Sequence, residues 1–351
     1  MFYTIKNLSQ QNVRIHLHCF EYGRGIQNEL NKYCESVNYY PRNVGHRGFS
    51  HKYPYIVCSR GNEELLTNLS RDEFPILLEG IHCSYFLDQD RLKNRKVILR
   101  LHNVEYKYYD HLRKSSSHLL KKFYYWNESR LLRKYEKRVI AKAEKILAIS
   151  ELDKAEFQSE FGSGNISYLP AFIPWNHVMS KDGMGSFCLY HGNLSVPENE
   201  KAATWLMDEV FNDLEIPFVI AGKNPGSRLK SLTRKKSNFC LLENPSGEEM
   251  QDLISKAHIH VLPSFNNTGV KFKLLNAVFC GRHCIANDSM VNGSGLETAC
   301  HIAGNSAGFK SILIQLYHQP FTEEEIHLRN GLLQKIYDNR INAERLIRWI
   351  W

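Results

Sequence analysis

Short apolar runs alternate with stretches of helical periodicity along the whole chain. In the first half, runs at 13–19, 37–40, 76–79, 97–101, 146–149 and 166–169 predict strands. Those at 76–79 and 146–149 are almost continuously apolar, as strands are when helices cover both faces of a parallel sheet. Residues 127–143 carry Leu131, Leu132, Tyr135 and Val139 at helical spacing, with basic residues between them. Pro170, Pro174 and the polar stretch 180–186 interrupt the pattern, as interdomain linkers do. It restarts with a strand at 187–190, a helix at 198–211 opened by Pro197, and strands at 217–221 and 239–242. A helix at 248–257, a strand at 259–262, a helix at 270–279 ended by Gly281 and a strand at 283–286 follow, with a helical pattern from Thr322 onward. Strand–helix alternation implies parallel sheets with right-handed crossovers. The expected fold class is α/β, with two Rossmann-like domains whose parallel sheets face each other across a cleft. The domains are expected at 1–172 and 187–320, joined by a linker at 173–186 and followed by a helical segment at 321–351.

The segment 262–277, LPSFNNTGVKFKLLNA, carries the most chemistry. It runs from a strand through a polar loop into a helix. Gly269 at the turn lets backbone approach a ligand closely. The helix N-terminus behind it offers unpaired N–H groups and a positive dipole end, which suit an anion. Lys271 and Lys273 add cations where an isolated helix disfavours them, so a bound diphosphate makes sense of their placement.

Composition narrows the classes. The chain has 351 residues, 43% of them hydrophobic and 23% charged, a globular balance with room for two cores. No apolar run reaches the roughly 20 residues of a membrane span, and the first residues lack the marks of a secretory signal. A cytoplasmic protein is expected. Nine scattered cysteines form no C-x-x-C pair, and Cys188, Cys240 and Cys280 sit in apolar runs, so buried free thiols are expected. Between His111 and Lys145, eleven Lys and Arg stand against three Glu, an excess equal to the whole net charge of +8. Aromatic residues are interleaved there, which fits a helix lying on an anionic membrane surface through residues 111–145, peripheral on its inner face. A solvated helix with its Tyr and Leu positions turned to the core is the simpler alternative. No recognised nucleic-acid module is present, and no nucleic-acid partner is expected.

Several segments resemble the retaining GT-B glycosyltransferases of family 4. The strand and turn LYHGNLS (189–195) is similar to the family's first C-domain strand and glycine loop, and VIAGKNP (219–225) to its second strand, beside the donor phosphates. Residues 238–243 with Asn244 and Pro245 resemble the turn near the nucleotide base, and 262–277 the donor loop and helix. In the first half, LRLHNVE (99–105) ends a strand where the family keeps a histidine, and LAISE (147–151) resembles its next strand. The resemblance implies transfer of a sugar from a nucleoside-diphosphate donor to a glycan or lipid-linked acceptor hydroxyl, with no metal and no other cofactor. It places Gly192, Asn193, Lys223, Glu243, Pro245, Thr268, Gly269, Val270, Leu274 and Asn276 at the donor. His102, Lys271 and Lys273 take the catalytic roles, and His82, Asn103 and Glu105 the acceptor side.

The departures matter. The family's two donor-loop glutamates fall on Thr268 and Asn276, and the basic residue of its glycine loop is Asn193. Asn276 keeps the capacity to bond ribose hydroxyls, whereas Thr268 carries no charge. The family's first strand and glycine loop have no counterpart before the helix carrying Phe2, Ile5 and Leu8. The expectation is an internal start, which leaves strands flanking the missing one unpaired. These changes keep a non-catalytic nucleotide-sugar-binding homologue open, and a nucleotide-sugar epimerase shares the architecture. Asp88 and Asp90 superficially match a D-x-D metal signature but read better as a surface turn. Ser150 and Glu151 are placed to cap the helix that follows.

Overall fold

A computed structural model describes every residue except Arg24, Ser117 and Ser163. The chain divides into two compact units, Met1–Pro174 with Tyr337–Trp351, and Trp175–Ile336. The last helix therefore belongs with the first unit, and the end of the expected linker packs on the second.

In the first unit, helix α1 (Phe2–Gln10) buries Ile5 and Leu8 and leads into β1 (His16–Phe20). The ladder starts later than the apolar run, because the Val13 amide bonds the Leu8 carbonyl (3.1 Å) and closes the helix. β1 pairs in parallel with β2 (Ser36–Tyr40) in a two-stranded sheet. A second parallel sheet has the order β3–β4–β5–β6, formed by Ile76–Glu79, Val97–Leu101, Lys145–Ala148 and Ile166–Tyr168. Every residue of β4 is buried, in keeping with helices on both faces. Two helices, α2 (Glu105–Ser115) and α3 (Leu119–Ile140), follow β4, so the helical pattern at 127–143 is the latter part of a longer element. Ser150 Oγ accepts the Asp153 amide (2.9 Å), capping the next helix as the sequence suggests. Asp88, expected on a surface turn, is buried and ion-paired with Arg138 (3.1 Å). Its charge is thus engaged within the fold.

The second unit is built on a six-stranded parallel sheet with the order β12–β11–β10–β7–β8–β9. These strands are β7 (Cys188–Asn193), β8 (Phe218–Lys223), β9 (Phe239–Glu243), β10 (Ile259–Leu262), β11 (His283–Ala286) and β12 (His301–Ile302). α4 (Pro197–Trp205) runs into a wider π-type turn at Leu206–Val210. α5 (Phe272–Cys280) begins two residues after the expected position. α6 (Glu323–Ile336) ends in this unit, whereas α7 (Asn339–Ile350) packs against α1 in the first. All nine cysteines are free thiols. Cys188 and Cys280 are buried, but Cys240 is exposed because β9 lies at a sheet edge.

Candidate active site

Parallel sheets bind ligands outside the carboxyl ends of their strands. In the second unit, β7, β8 and β10 deliver the glycine-bearing turns there. A Cβ on Gly222 would meet the Gly192 carbonyl oxygen at 1.9 Å, so this crossing of β7 and β8 requires glycine. Gly269 takes a left-handed φ of +66° and turns the chain toward α5. Of the first-turn amides of α5, that of Leu274 bonds the Lys271 carbonyl (2.9 Å), which leaves those of Phe272 and Lys273 without a partner inside the helix. Lys271 sits at its N-cap, and its Nζ donates to the carbonyls of Thr268 (3.0 Å) and Gly269 (3.1 Å), bracing the turn.

Lys273 enters more deeply. Its Nζ bonds Asn199 Oδ1 (2.7 Å) and Tyr190 Oη (3.2 Å) and lies over the tyrosine ring. A Cβ on Gly192 would stand 3.5 Å from that Nζ, so the strand end lies directly over the cation. Burial pushes the ammonium down to about 8, with Glu198 opposing and Lys271 adding to the shift. Asn276, one turn along, has a buried Oδ1 with no hydrogen-bond partner. That oxygen is free to accept from a ligand hydroxyl. Thr268 is occupied locally, since its amide (2.8 Å) and hydroxyl (2.9 Å) both donate to Asn266 Oδ1. Asn193 Oδ1 likewise accepts from the Ser195 amide and hydroxyl. Lys223 ends β8 in register with Asn193. Glu243 ends β9 and pairs with Lys230 (2.5 Å), both side chains part-exposed. Asn244, at φ +52°, bonds the Gly222 carbonyl through its amide (2.8 Å), and Pro245 follows it half-buried.

In the first unit, the carboxyl ends of β3 and β4 gather a second group. Glu79 is part-buried, with 11% of its side chain exposed, and its carboxylate takes a hydrogen bond from Arg100 (3.2 Å) and one from His102 Nε2 (2.8 Å). Burial alone would push this carboxyl up, yet Arg100 and then His102 hold it well below the ordinary carboxylate value. A carboxylate can only accept, so His102 Nε2 carries the proton and a neutral ring keeps its lone pair on Nδ1. The His102 side chain is 38% exposed, enough to meet a ligand. His82 lies against Gly80, and burial followed by Arg60 pushes its imidazole down to about 3. It is neutral and inward, which suits packing better than contact with a substrate. Asn103 bonds Glu105 (3.4 Å), whose amide is held by the buried Glu136 at the start of α2 (2.9 Å).

Comparison with known proteins adds a likeness of sequence and of fold. Residues 186–319 match the family model described as glycosyl transferases group 1. The matched stretch carries the whole six-stranded sheet of the second unit. An uncharacterized protein in the cps region of Klebsiella pneumoniae is 27% identical to the chain over 268 residues, 71% of this chain and 67% of that protein. Among solved structures, HepE from Anabaena, crystallised with UDP and glucose, aligns with a TM-score of 0.67 at 10% identity. The alignment covers 99% of this chain and 94% of HepE. A glycosyltransferase from Rickettsia africae gives 0.66 at 11% identity, over 99% of this chain and 93% of that one. TarM gives 0.62 at 13% identity, and the chain spans 57% of TarM's length. At these identities the likeness is one of fold: a GT-B glycosyltransferase fold. Family and fold together support a nucleotide-sugar glycosyltransferase.

Within the second unit, the structure brings together Gly192, Gly269, Lys271 and Lys273, with Asn276 one turn behind. The Glu243 carboxylate is spent on Lys230. Reading the sequence missed Glu198, Asn199 and Tyr190, which surround Lys273, and Glu79, which orients His102. Asn199 and Tyr190 meet Lys273 across more than 70 residues of chain, so no local spacing announces them. His191 was also missed. Both of its ring nitrogens are buried without partners, and burial, then Lys273, pushes its imidazole down to about 3.

Proposed function

We propose that this protein transfers a glycosyl group from a nucleoside-diphosphate sugar to a hydroxyl of a glycan or lipid-linked acceptor, with retention at the anomeric carbon and without a metal. The carrying observation is the part-buried Lys273 cation beneath Gly192, at the N-terminus of the helix that follows the Gly269 turn. In the reaction, the anomeric C–O bond breaks and its electron pair leaves with the nucleoside diphosphate. The acceptor oxygen bonds the anomeric carbon, and its proton passes to the departing phosphate. Lys273, Lys223 and the first-turn amides of α5 stabilise the growing charge by fixed electrostatics. Lys271 stiffens the turn. The unpartnered Asn276 oxygen accepts from a ribose hydroxyl, taking part of the role a glutamate would fill.

On the first unit, Glu79 fixes the tautomer of His102, leaving Nδ1 to accept from a sugar hydroxyl. The protein of the cps region and the UDP-bound HepE make a UDP-sugar the first donor to test. Association with a membrane surface belongs to the same proposal. No helix among the described residues is long and apolar enough to cross a membrane.

The test is thermal unfolding with UDP, GDP and ADP, for the native chain and for Lys273→Ala with Lys271→Ala. A ligand at about one hundred times its dissociation constant adds about 2.7 kcal/mol, which a melting curve resolves. Stabilisation of the native chain by one nucleotide, lost in the double variant, supports the donor site. No stabilisation by any of them overturns it. Nucleotide binding without turnover on any acceptor would favour the non-catalytic homologue, a reading that the local capture of Thr268 by Asn266 also favours.

A further inference from the structure

At the far edge of the second sheet, His283 opens β11 and His301 opens β12. These strands are parallel, with Ile285 opposite His301. Glu325 reaches the same place from the first turn of α6. One ligating atom from each of the three residues lies within 4.8 Å of the others. Among the described residues this is the one such group of three His, Cys, Asp or Glu side chains.

The hydrogen bonds of His283 decide what the cluster needs. Its Nε2 is 3.1 Å from the Gln319 carbonyl oxygen. A carbonyl only accepts, so Nε2 carries the hydrogen and Nδ1 of the neutral ring carries the lone pair. The His283 side chain is 3% exposed, and Nδ1 makes no hydrogen bond. Glu325 Oε1 stands 3.4 Å from it. With the ring neutral, two acceptors face each other, a contact that either a second imidazole proton or a metal cation relieves, and His301 and Glu325 are part-exposed, so an ion can reach them. The separation exceeds the roughly 2.7–2.9 Å of a charge-assisted N–H···O bond. It does match the edge of a zinc tetrahedron, about 3.3–3.4 Å for bonds of about 2.0–2.1 Å.

The surroundings fit a bound ion. The Gln319 carbonyl orients His283 from behind, as outer partners of ligating histidines do. The other Glu325 oxygen accepts the Thr322 amide (3.0 Å), which fixes the carboxylate. A cavity of about 160 Å³ opens beside His301, Cys300 and Glu325, giving access and room for a water as a further ligand. The buried Arg329 guanidinium lines the same cavity. It is engaged with Ser180 Oγ and with the carbonyls of Val278, Gly281 and Arg282, so the Glu325 carboxylate is left to the ion.

We propose that His283, His301 and Glu325 bind one divalent transition-metal ion of the zinc class. Two imidazoles and a carboxylate suit such an ion better than magnesium or calcium. The site lies at the amino ends of β11 and β12, whereas the Gly269 turn leaves the carboxyl end of β10. The ion ties the last two strands to α6 and takes no part in sugar transfer.

The experiment uses the full chain without an affinity tag, stripped with chelator and titrated with zinc. Metal content and melting temperature are read for the native protein, His301→Ala, Glu325→Gln and the exposed-site control His318→Ala. One equivalent of zinc, a higher melting temperature and at least hundredfold weaker binding in both cluster variants support the site, with the control behaving as native. Cobalt in place of zinc should show the visible absorption of a tetrahedral site, lost in His301→Ala. No zinc retained at micromolar free metal, or equal binding by both cluster variants, overturns it.

Discussion

An ammonium group partly withdrawn from water is suited to an anion, and Lys273 is held so by Gly192, Tyr190 and Asn199. Its burial carries a functional consequence, because the shift to about 8 brings its titration into an accessible range. A lysine with a lowered value is charged below it and neutral above it. The second ionisation of a phosphate ester has its midpoint about two units below that, near 6. UDP affinity is therefore expected to be flat from pH 6.5 to 7.5 and to fall above 8, to roughly a tenth by pH 9 if binding requires the cation. Proton uptake on binding near pH 8.5 is the calorimetric signature. In Lys273→Arg the guanidinium stays charged, so the fall should vanish. A native affinity level through pH 9 would remove Lys273 from the phosphate site. Lys273 was visible in the sequence as a cation in a first helical turn, and so were Gly269 and Lys271. Its partners were not, because Tyr190 and Asn199 reach it only once the sheet has formed.

At the level of elements, legibility followed the source of the pattern. Parallel strands buried on both faces announced themselves through apolar runs, and most lie where the runs predict them. Their order was not legible, and with it went the exposure of Cys240, which depends on β9 being an edge. The start of α5 moved from Val270 to Phe272 because Lys271 serves as the N-cap. Buried carboxylates on α3 were also hidden, since Glu128 and Glu136 read as solvent residues in a basic helix. Glu128 instead accepts the Tyr55 amide (2.8 Å) and joins α3 to the helix at Tyr55–Cys58. Burial pushes its carboxyl from 4.5 up to about 7. The folded protein then keeps a proton that the unfolded chain releases, so this group's stability contribution falls as pH rises from about 4.5 to 7. Glu128→Gln keeps an acceptor for Tyr55 and avoids the buried charge. It is expected to stabilise the first unit by about 1–2 kcal/mol at pH 8 and by little at pH 4.5. Melting curves at the two pH values test this, and an equal effect at both would refute the linkage.

For the molecule as a whole, the question is where its positive charge and its exposed apolar surface coincide. The net charge of +8 is matched by the excess of basic residues between His111 and Lys145. The structure narrows the segment that can meet a partner. The second half of α3 buries Leu131, Leu132, Tyr135, Val139 and Ile140 in the core, so that stretch is structural. The first half does the opposite. Leu119 is 81% exposed, Leu120 88% and Phe123 68%, beside Lys121 and Lys122. Trp126, half-exposed, carries Arg130 over its ring. Apolar side chains at a helix start, flanked by lysines, fit a lipid interface in which rings and leucines enter the headgroup boundary and ammonium groups meet anionic lipid. Such a patch would carry the membrane association proposed above. The native chain is expected to sediment with phosphatidylglycerol vesicles more strongly than with phosphatidylcholine, and less at 0.5 M salt than at 0.1 M. Leu120→Ser with Phe123→Ser should weaken binding at least tenfold, since each large side chain is worth about 1.5–3 kcal/mol of burial. Because both residues are exposed, the double variant should melt as the native chain does. Vesicle binding unchanged by these substitutions would exclude the patch, and a native dimer broken by them would assign it to a second copy of the chain instead.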